Sequence, residues 1–241
     1  MNFINEKALK DYPKPIFFKQ SETILKQMRN YVFQICQKDG SKGTGFFCRI
    51  PISYNKSLPV FITNNHLIDE KYLKEERDII LQINNGLNNS IKSISLKNKF
   101  TYTNEKYDIT IIEINENKEK IFEYLELDEN ILNHYINYVG TSIYILHYPY
   151  TNNVNNVAVS YGILKRIFDD KKYNFIHYSS TDYGSSGAPI LNLENNKIIG
   201  IHKQRTVNME YNVGSFLYYP LKEFINNYNL EQNKLTIKKK F

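Results

Sequence analysis

The sequence predicts an all-β sandwich or barrel that ends in one helix. Short runs rich in Ile, Val, Tyr and Phe recur along the chain and are separated by Gly, Pro, Asn or Asp. These runs do not alternate with long helical segments, so a parallel α/β sheet is not expected. The 241 residues, of which 41% are hydrophobic and 14% aromatic, suit a two-barrel β protein with a sizeable core.

The first half begins with a helix and continues with strands. Residues 21–30 are expected to be helical, since Ser21 can cap the first turn and Ile24 and Met28 share one face. The Gly-rich stretch 40–45 lacks the Gly-Lys-Ser/Thr ending of a phosphate loop and is interpreted as a hairpin loop. A surface helix is expected at 119–127. The expected strands are 31–36, 45–50, 59–63, 79–83, 91–96 and 108–114.

The second half continues the strand pattern without an internal repeat. Pro220 stands where a closing helix would begin, and that helix is expected at 220–228. The division between the two sets of strands falls near residue 130. The expected strands are 142–147, 157–167, 174–179, 188–193, 197–202 and 215–219.

Charge and composition exclude several classes of protein. The net charge of +6 permits contact with nucleic acid but does not argue for it, and the basic tail at 234–240 is interpreted as a solvated terminus. The two cysteines form no Cys-x-x-Cys pair, and the chain has no His-Glu-x-x-His motif. The sequence therefore predicts no metal site and no cofactor.

No targeting segment is apparent. Residues 1–20 carry charges throughout and lack the apolar core of a signal peptide. No apolar run approaches the roughly 18 residues that a membrane span needs. We therefore expect a soluble, cytoplasmic protein without membrane contact, in which Cys36 and Cys48 remain free thiols.

The most informative stretch reads Gly-Ser-Ser-Gly-Ala-Pro, from Gly184 to Pro189. Amide hydrolysis by serine needs a hydroxyl on a tight turn and backbone N–H groups aimed at the developing oxyanion. Gly184 lets the chain fold back, so that the N–H groups of Gly184 and Ser186 can converge on one point. An ordinary Gly/Ser turn between strands has the same composition, so the motif needs support from elsewhere.

That support comes from His66 and Asp108. His66 follows the short strand expected at 59–63, and Asp108 stands at the head of the strand at 108–114. Taken singly, His66 could be a turn cap and Asp108 a polar strand start. Together with Ser186 they occur in the order His, Asp, Ser, which distinguishes one of the unrelated groups of Ser-His-Asp hydrolases.

These motifs resemble those of the trypsin/chymotrypsin superfamily over residues 31–228. Thr-Asn-Asn-His, ending at His66, is similar to the family's Thr-Ala-Ala-His, and Asp-Ile-Thr-Ile from Asp108 is similar to Asp-Leu-Ala-Leu. Gly-Ser-Ser-Gly-Ala-Pro is similar to Gly-Asp-Ser-Gly-Gly-Pro. The resemblance implies a chymotrypsin-like double six-stranded β-barrel with a C-terminal helix and a site at the junction of the barrels.

The resemblance also implies a division of the chain and a role for each motif. Residues 1–30 would be an N-terminal segment with a short helix, 31–130 the first barrel, and 131–241 the second barrel with the helix and the basic tail. The chain would be a serine endopeptidase that acts on polypeptides. His66 would be the general base, Asp108 its orienting partner and Ser186 the nucleophile, with the N–H groups of Gly184 and Ser186 as oxyanion hole.

One branch of the superfamily fits better than the others. The run from Ser180 to Ser186, followed by Ile-Gly-Ile-His ending at His202, is similar to the bacterial glutamyl endopeptidases and to potyviral and picornaviral processing proteases. In these families a Thr five residues before the nucleophile and this His line the S1 pocket, which implies Thr181 and His202 here. Both can donate hydrogen bonds to a side-chain oxygen, so cleavage after Glu or Gln is expected.

Charged residues near this pocket would favour different substrate side chains. Lys203 and Arg205 would add positive potential that favours an acidic substrate side chain. Asp182, if it pointed into the pocket, would repel Glu and favour Gln or even a basic residue.

Other positions depart from the family pattern or receive no role. Ser185 replaces the Asp that pairs with the new amino terminus of trypsin-like zymogens, so activity is not expected to need N-terminal cleavage. Leu67 replaces a half-cystine. No role is assigned to the remaining histidines, which are His134, His147 and His177.

Two other functions stay open on the sequence alone. The same fold could be a catalytically silent binding module, since a fold does not prove activity, although the presence of all three triad residues argues against this. A nucleic-acid-binding β protein is suggested only by charge, and its retention on DNA would fall steeply with salt. The sequence does not indicate the oligomeric state.

Overall fold

The computed structural model describes residues 12–37, 39–84, 89–133, 138–150, 156–206 and 210–238. Within these ranges each half of the chain forms one antiparallel β-sheet, and helices lie before, between and after the strands. The helices are α1 (Phe18–Asn30), α2 (Glu70–Lys74), α3 (Glu116–Glu119), α4 (Asn130–Asn133) and α5 (Tyr218–Lys238).

The first half forms a seven-stranded sheet. Its strands are β1 (Val32–Cys36), β2 (Lys42–Ser53), β3 (Lys56–Thr63), β4 (Ile79–Asn84), β5 (Asn89–Ile94), β6 (Thr101–Asn104) and β7 (Ile109–Glu113). They pair in the order β5-β4-β1-β2-β3-β7-β6.

Strand β2 supplies side chains to two cores, because alternate residues of a strand point to opposite faces. Phe46 and Cys48 belong to the main core, which also includes second-half residues and α5. Phe47 points the other way and packs on Phe33 and Phe61 in a smaller core that belongs to the first half. The main core therefore joins the two halves directly.

The second half forms a closed barrel. Its strands are β8 (Ser142–His147), β9 (Ala158–Ile167), β10 (Asn174–His177), β11 (Pro189–Asn192), β12 (Lys197–Arg205) and β13 (Asn212–Phe216). The ladder runs β10-β13-β12-β11-β8-β9 and returns to β10.

The predicted fold class is confirmed, with one difference in the first half. The second half is the expected six-stranded barrel, and α5 follows it. The first sheet has a seventh strand, β6, and no ladder joins the described residues of β5 and β6. The sequence did not indicate β6 because Thr101–Asn104 is short and polar, and it is extended because it pairs with β7.

Three helix predictions need correction. Helix α1 begins at Phe18, so Phe17 rather than Ser21 is its N-cap residue, and α5 continues well past the expected end at residue 228. The helix expected at 119–127 is wrong, because α3 ends at Glu119. Beyond it the backbone pairs with both sheets: Leu125 N–H donates to the Phe47 carbonyl at 2.9 Å, and the Glu126 carbonyl accepts Ile198 N–H at 2.8 Å. These tertiary hydrogen bonds override local helix propensity.

The two cysteines lie far apart on one hairpin. Cys36 of β1 is opposite Lys42 of β2, and Cys48 lies six positions further along β2. At about 3.3 Å per residue this separates them by roughly 20 Å, well beyond the reach of a disulfide. Both thiols are free.

The expected division at residues 30 and 130 stays a prediction. The connection near residue 130 runs between the two sheets. His134 and residues 239–240 of the basic tail lie outside the described residues. Among the helices of the described part of the chain, none has the length and apolar character to cross a membrane.

Candidate active site

His66 lies in the turn between β3 and α2. Asn64 holds this turn closed, because its carbonyl accepts the N–H groups of Leu67 and Ile68 at 3.3 and 3.2 Å. Thr110 donates its hydroxyl to the Ile68 carbonyl at 2.6 Å. The His66 side chain is 46% exposed, so its ring is open to a substrate.

Asp108 lies one residue before β7 and contacts His66 directly. Its carboxylate oxygens are 2.9 and 3.0 Å from His66 Nδ1, and Oδ1 also accepts the His66 backbone N–H at 3.0 Å. Since a carboxylate only accepts, Nδ1 carries the proton of the neutral imidazole. The lone pair of neutral His66 is then on Nε2, where a general base needs it.

Ser186 lies in a tight turn that leads into β11. Gly184 and Gly187 have φ angles of +89° and +85°, in the left-handed region that glycine adopts without a Cβ penalty. A Cβ at Gly187 would lie 2.0 Å from the Thr44 carbonyl oxygen, and one at Gly184 would lie 2.5 Å from the Tyr148 carbonyl oxygen. The backbone conformation and the close packing both require these glycines.

Thr44 of β2 connects this turn to the first half through hydrogen bonds. Its N–H donates to the Ser186 carbonyl at 2.7 Å, and its hydroxyl donates to the Gly184 carbonyl at 2.7 Å and accepts Tyr148 N–H at 3.2 Å. Sequence reasoning missed Thr44 because it assigned 40–45 to a hairpin loop, whereas β2 begins at Lys42. No local signal marks a contact between residues 140 positions apart.

The Ser186 hydroxyl points toward β12. It donates to the carbonyl of Lys203 at 3.2 Å, and no hydrogen bond among the described residues joins it to His66. The structure thus brings His66 and Asp108 into direct contact and leaves the serine hydroxyl bonded elsewhere. Hydrogen bonds between nucleophile and base are often long in the absence of substrate and tighten in the complex.

Two backbone N–H groups of the serine turn have no hydrogen-bond partner in the ranges that the structure describes. Within the described part of the chain no acceptor bonds to the N–H of Gly184 or Ser186. By contrast, the N–H groups of Ser185, Gly187 and Ala188 bond to carbonyls at 3.0, 3.0 and 3.1 Å. Unpaired donors beside a serine hydroxyl are what an oxyanion hole requires.

His147 supports the same turn from inside the barrel, a contact that sequence reasoning missed. Its Nδ1 is 2.7 Å from Ser185 Oγ, and its Nε2 is 2.9 Å from Ser160 Oγ. Ser185 Oγ also accepts the N–H of Asp182 at 3.1 Å. Burial lowers the pKa of His147 to about 4, so the imidazole is neutral at neutral pH.

Two further buried histidines form a directed hydrogen-bond chain. The Ser179 N–H donates to His177 Nδ1 at 3.4 Å, and His177 Nε2 is 3.2 Å from His202 Nδ1. Because a backbone N–H only donates, neutral His177 carries its proton on Nε2 and gives it to His202 Nδ1. Neutral His202 then carries its proton on Nε2. Burial lowers the pKa of His177 to about 3 and that of His202 well below its usual value, so both are neutral.

The other residues expected around a substrate pocket are placed as follows. Thr181 is half-buried, and its hydroxyl has no hydrogen-bond partner among the described residues. Asp182 is exposed, and its Oδ1 accepts the Tyr183 N–H at 2.7 Å. The Lys203 ammonium is 3.5 Å from Asn174 Oδ1, and burial lowers its pKa while the Asp108 charge raises it.

Chemically, the arrangement offers an oriented base, a hydroxyl on a tight turn and two N–H donors that have no partner among the described residues. These are the components of nucleophilic acyl transfer. Across the described ranges no group of three or more His, Cys, Asp or Glu side chains is arranged to hold a metal ion.

Comparison with protein families gives one match. The model of the trypsin-like peptidase domain matches residues 43–201, a range that includes His66, Asp108 and Ser186. Among curated protein sequences no significant match exists.

Solved structures with a similar fold include several proteases. The serine endoprotease from Yersinia pestis superposes with a TM-score of 0.60 at 14% identity, over 88% of this chain and 68% of that chain. A Glu endopeptidase in complex with MPD gives 0.58 at 18% identity, over 90% and 96%. The active form of the Rv3671c protease from M. tuberculosis gives 0.56 at 14% identity, over 90% and 89%. At such low identities the similarity shows a common fold.

Proposed function

This chain belongs to the trypsin-like peptidase domain family and is a serine endopeptidase, and we propose that it cleaves polypeptides after Glu or Gln through His66, Asp108 and Ser186. The observation that carries the proposal is the bidentate contact of Asp108 with His66 Nδ1, at 2.9 and 3.0 Å. This contact leaves Nε2 as the proton acceptor.

The geometry supports a two-step hydrolysis. Ser186 Oγ leaves the Lys203 carbonyl, gives its proton to His66 Nε2 and attacks the substrate carbonyl carbon. As the C–N bond breaks, His66 returns the proton to the leaving amine, and an ester on Ser186 remains. Water, activated by the same Nε2, then attacks the ester carbonyl and releases the acid and the serine hydroxyl.

The free N–H groups of Gly184 and Ser186 would stabilise the developing oxyanion. They are held in place because neighbouring N–H groups of the turn are bonded and Thr44 binds the carbonyls of Gly184 and Ser186. Donors fixed before the reaction need no reorganisation in the transition state, and one such donor contributes roughly 3 kcal/mol in a serine hydrolase of a different fold.

The preference for Glu or Gln rests on His202. Two backbone hydrogen bonds place His202 beside the serine turn: its carbonyl accepts Gly187 N–H at 3.0 Å, and its N–H donates to the Ala188 carbonyl at 2.8 Å. The His177 link leaves its Nε2–H as a donor, and the half-buried Thr181 offers a second hydroxyl donor. Both can bind an oxygen of a Glu or Gln side chain.

Asp182 and Lys203 fit this specificity in different ways. Asp182 is exposed and its Oδ1 accepts the Tyr183 N–H at 2.7 Å, so its carboxylate would lie at the surface rather than inside the pocket. The Lys203 ammonium is bonded to Asn174 Oδ1, so the donors to the substrate side chain would be His202 and Thr181, which are both neutral. Neutral donors suit Gln as well as Glu.

Covalent labelling tests the catalytic assignment. The wild-type chain should react with a fluorophosphonate probe at Ser186 and hydrolyse peptides, and Ser186→Ala should do neither, with a loss on the order of 10⁶ in kcat. Ser57→Ala, an exposed serine on β3, is the matched control and should behave like wild type. A wild-type chain that neither labels nor cleaves would instead be a binding module on this fold.

Peptide-library profiling tests the specificity. Wild type should cleave mainly after Glu or Gln, and His202→Ala should lose that preference, since polar sites reject substrates without the matching acceptor by up to roughly 10⁴. Thr181→Val should weaken the preference in the same direction. Cleavage mainly after Lys, Arg, Phe or Leu would contradict the assignment, as would an unchanged profile for His202→Ala.

A further inference from the structure

The carboxylate of Glu223, on α5, binds three side chains of the first half. Its Oε1 accepts the Tyr107 hydroxyl at 2.7 Å. Its Oε2 accepts the Tyr102 hydroxyl at 2.8 Å and the Asn104 amide at 3.2 Å. Burial and the Glu223 carboxylate raise the pKa of both tyrosines, so both phenols remain donors. All three partners lie on β6 or in the turn that follows it.

This turn is the one that ends at Asp108. Asp108 has a φ of +54°, a left-handed conformation that costs a residue with a Cβ of order 1 kcal/mol or more. It persists only when surrounding contacts fix it. Besides the contacts of its carboxylate with His66, the backbone of Asp108 donates its N–H to the Glu105 carbonyl at 3.1 Å and accepts the Asn64 amide at its carbonyl at 2.8 Å.

Tyr107 connects Glu223 to this strained residue. It directly precedes Asp108, is only 3% exposed, and packs edge-on against Tyr173 at 5.1 Å and nearly parallel to Tyr219 at 6.2 Å. Its hydroxyl reaches Glu223 from this pocket. Loss of the Glu223 hydrogen bond would therefore weaken the restraint on the residue next to Asp108.

We propose that Glu223 is a positioning residue that holds the Asp108 turn, so that the C-terminal helix sets the orientation of the Asp108 carboxylate against His66. The inference rests on the proposed function of Asp108 and His66. Glu223 itself touches neither the substrate nor the reacting atoms, and it acts through Tyr107 and Asn104.

Steady-state kinetics of the full chain test this role. Glu223→Gln keeps the shape of the side chain but replaces one acceptor oxygen with a donor, and Tyr107→Phe removes one hydrogen bond without a change of charge. Each should lower kcat roughly 5- to 30-fold with little change in KM. Glu231→Gln, which removes the same charge from an exposed position on α5, should match wild type. Unchanged kcat in both Glu223→Gln and Tyr107→Phe would overturn the proposal.

A second arm separates positioning from general stability. In an Asp108→Asn background the orienting carboxylate is already lost, so adding Glu223→Gln should cost no further activity. If Glu223→Gln lowers kcat by the same factor in that background as in wild type, Glu223 only stabilises the fold and the proposal is wrong.

A third readout does not depend on peptide cleavage. The proton on His66 Nδ1, bonded to Asp108, should give a downfield resonance in the NMR spectrum of the wild-type chain without substrate. Glu223→Gln and Tyr107→Phe should shift or broaden this resonance, and Glu231→Gln should leave it unchanged. An unaffected resonance in both variants overturns the Glu223 inference even if peptidase activity is established. If both variants shift the resonance but the wild-type chain has no peptidase activity, only the proposed function is wrong.

Discussion

Buried histidines show how single residues shape the serine turn. His147 lies between Ser185 and Ser160, and both ring nitrogens are within hydrogen-bond distance of a hydroxyl. Protonation would place a charge at a site with little water and turn both nitrogens into donors. Burial also lowers the pKa of His177 and His202. The folded state therefore favours the neutral form of all three histidines.

The lowered pKa values predict a loss of stability in mild acid. An unfolded histidine titrates near 6.5, whereas the pKa of folded His147 is about 4. The unfolded chain therefore binds more protons between these values. His147 therefore contributes roughly 3 kcal/mol to the free energy of unfolding above about pH 6.5, and this contribution is lost as the pH falls toward 4.

Urea unfolding at about pH 7.5 and about pH 5 measures this effect. Wild type should lose free energy of unfolding between the two, with roughly 2 kcal/mol from His147. His147→Gln, which keeps a polar amide but does not titrate, should lose correspondingly less. Equal losses in wild type and variant would contradict the assignment of His147 as a buried neutral residue.

Among the elements, β2 connects the two halves at the site. Its Phe46 and Cys48 enter the main core, and its Thr44 binds the carbonyls of Gly184 and Ser186. Thr63 of β3 donates its hydroxyl to the Thr44 carbonyl at 2.9 Å. Thr44 thus joins the serine turn of the second half to β2, and Thr63 joins β2 to the strand that precedes His66.

Removal of the Thr44 hydroxyl should weaken catalysis. Thr44→Val keeps the volume but leaves the Gly184 carbonyl and the Tyr148 N–H without a partner, each at a cost of roughly 1–3 kcal/mol. If the N–H groups of Gly184 and Ser186 become less well oriented and a comparable free energy of transition-state stabilisation is lost, kcat falls roughly tenfold to a hundredfold.

The matched control is Ser142→Ala, which removes a buried hydroxyl that accepts the Lys14 N–H at 3.0 Å. It should lower the thermal midpoint without lowering kcat. If Thr44→Val also lowers only the midpoint, the contact is structural and has no part in catalysis.

At the scale of the whole molecule, the described part of the N-terminal segment, residues 12–30, contacts the second half outside the candidate site. Besides the Lys14 contact with Ser142, the Gln20 side chain donates to the Leu193 carbonyl at 2.8 Å and the Gln27 side chain to the Asn196 carbonyl at 2.9 Å. None of these acceptors touches His66, Asp108 or Ser186 in the described part of the chain. Ser185, at the position of the zymogen Asp, is uncharged and bonded to His147.

We therefore expect the chain that begins at Met1 to be active without N-terminal cleavage. Intact-mass spectrometry after fluorophosphonate treatment should show the full-length mass plus one probe, and Ser186→Ala should show the full-length mass alone. Labelling confined to species trimmed within residues 1–30 would contradict this. It would indicate that the N-terminal segment blocks the cleft.

The sequence by itself determined the local features. Runs of apolar residues and the Gly and Pro between them predicted twelve of the strands to within a few residues, because strand propensity and turn chemistry act over short distances. The motifs around His66, Asp108 and Ser186 were visible for the same reason. Strand β6 and the extended segment after α3 were missed, since both depend on pairing with distant strands.

Only the tertiary structure decided how the motifs work together. Three contacts of the site join residues that are far apart in the sequence. Asp108 binds His66 across 42 positions, Thr44 binds Gly184 across 140, and Glu223 binds Tyr107 across 116. The tautomer of His202 depends on a second histidine 25 positions away. Such contacts form when the two halves pack through a shared core, and no local pattern encodes which side chains then meet.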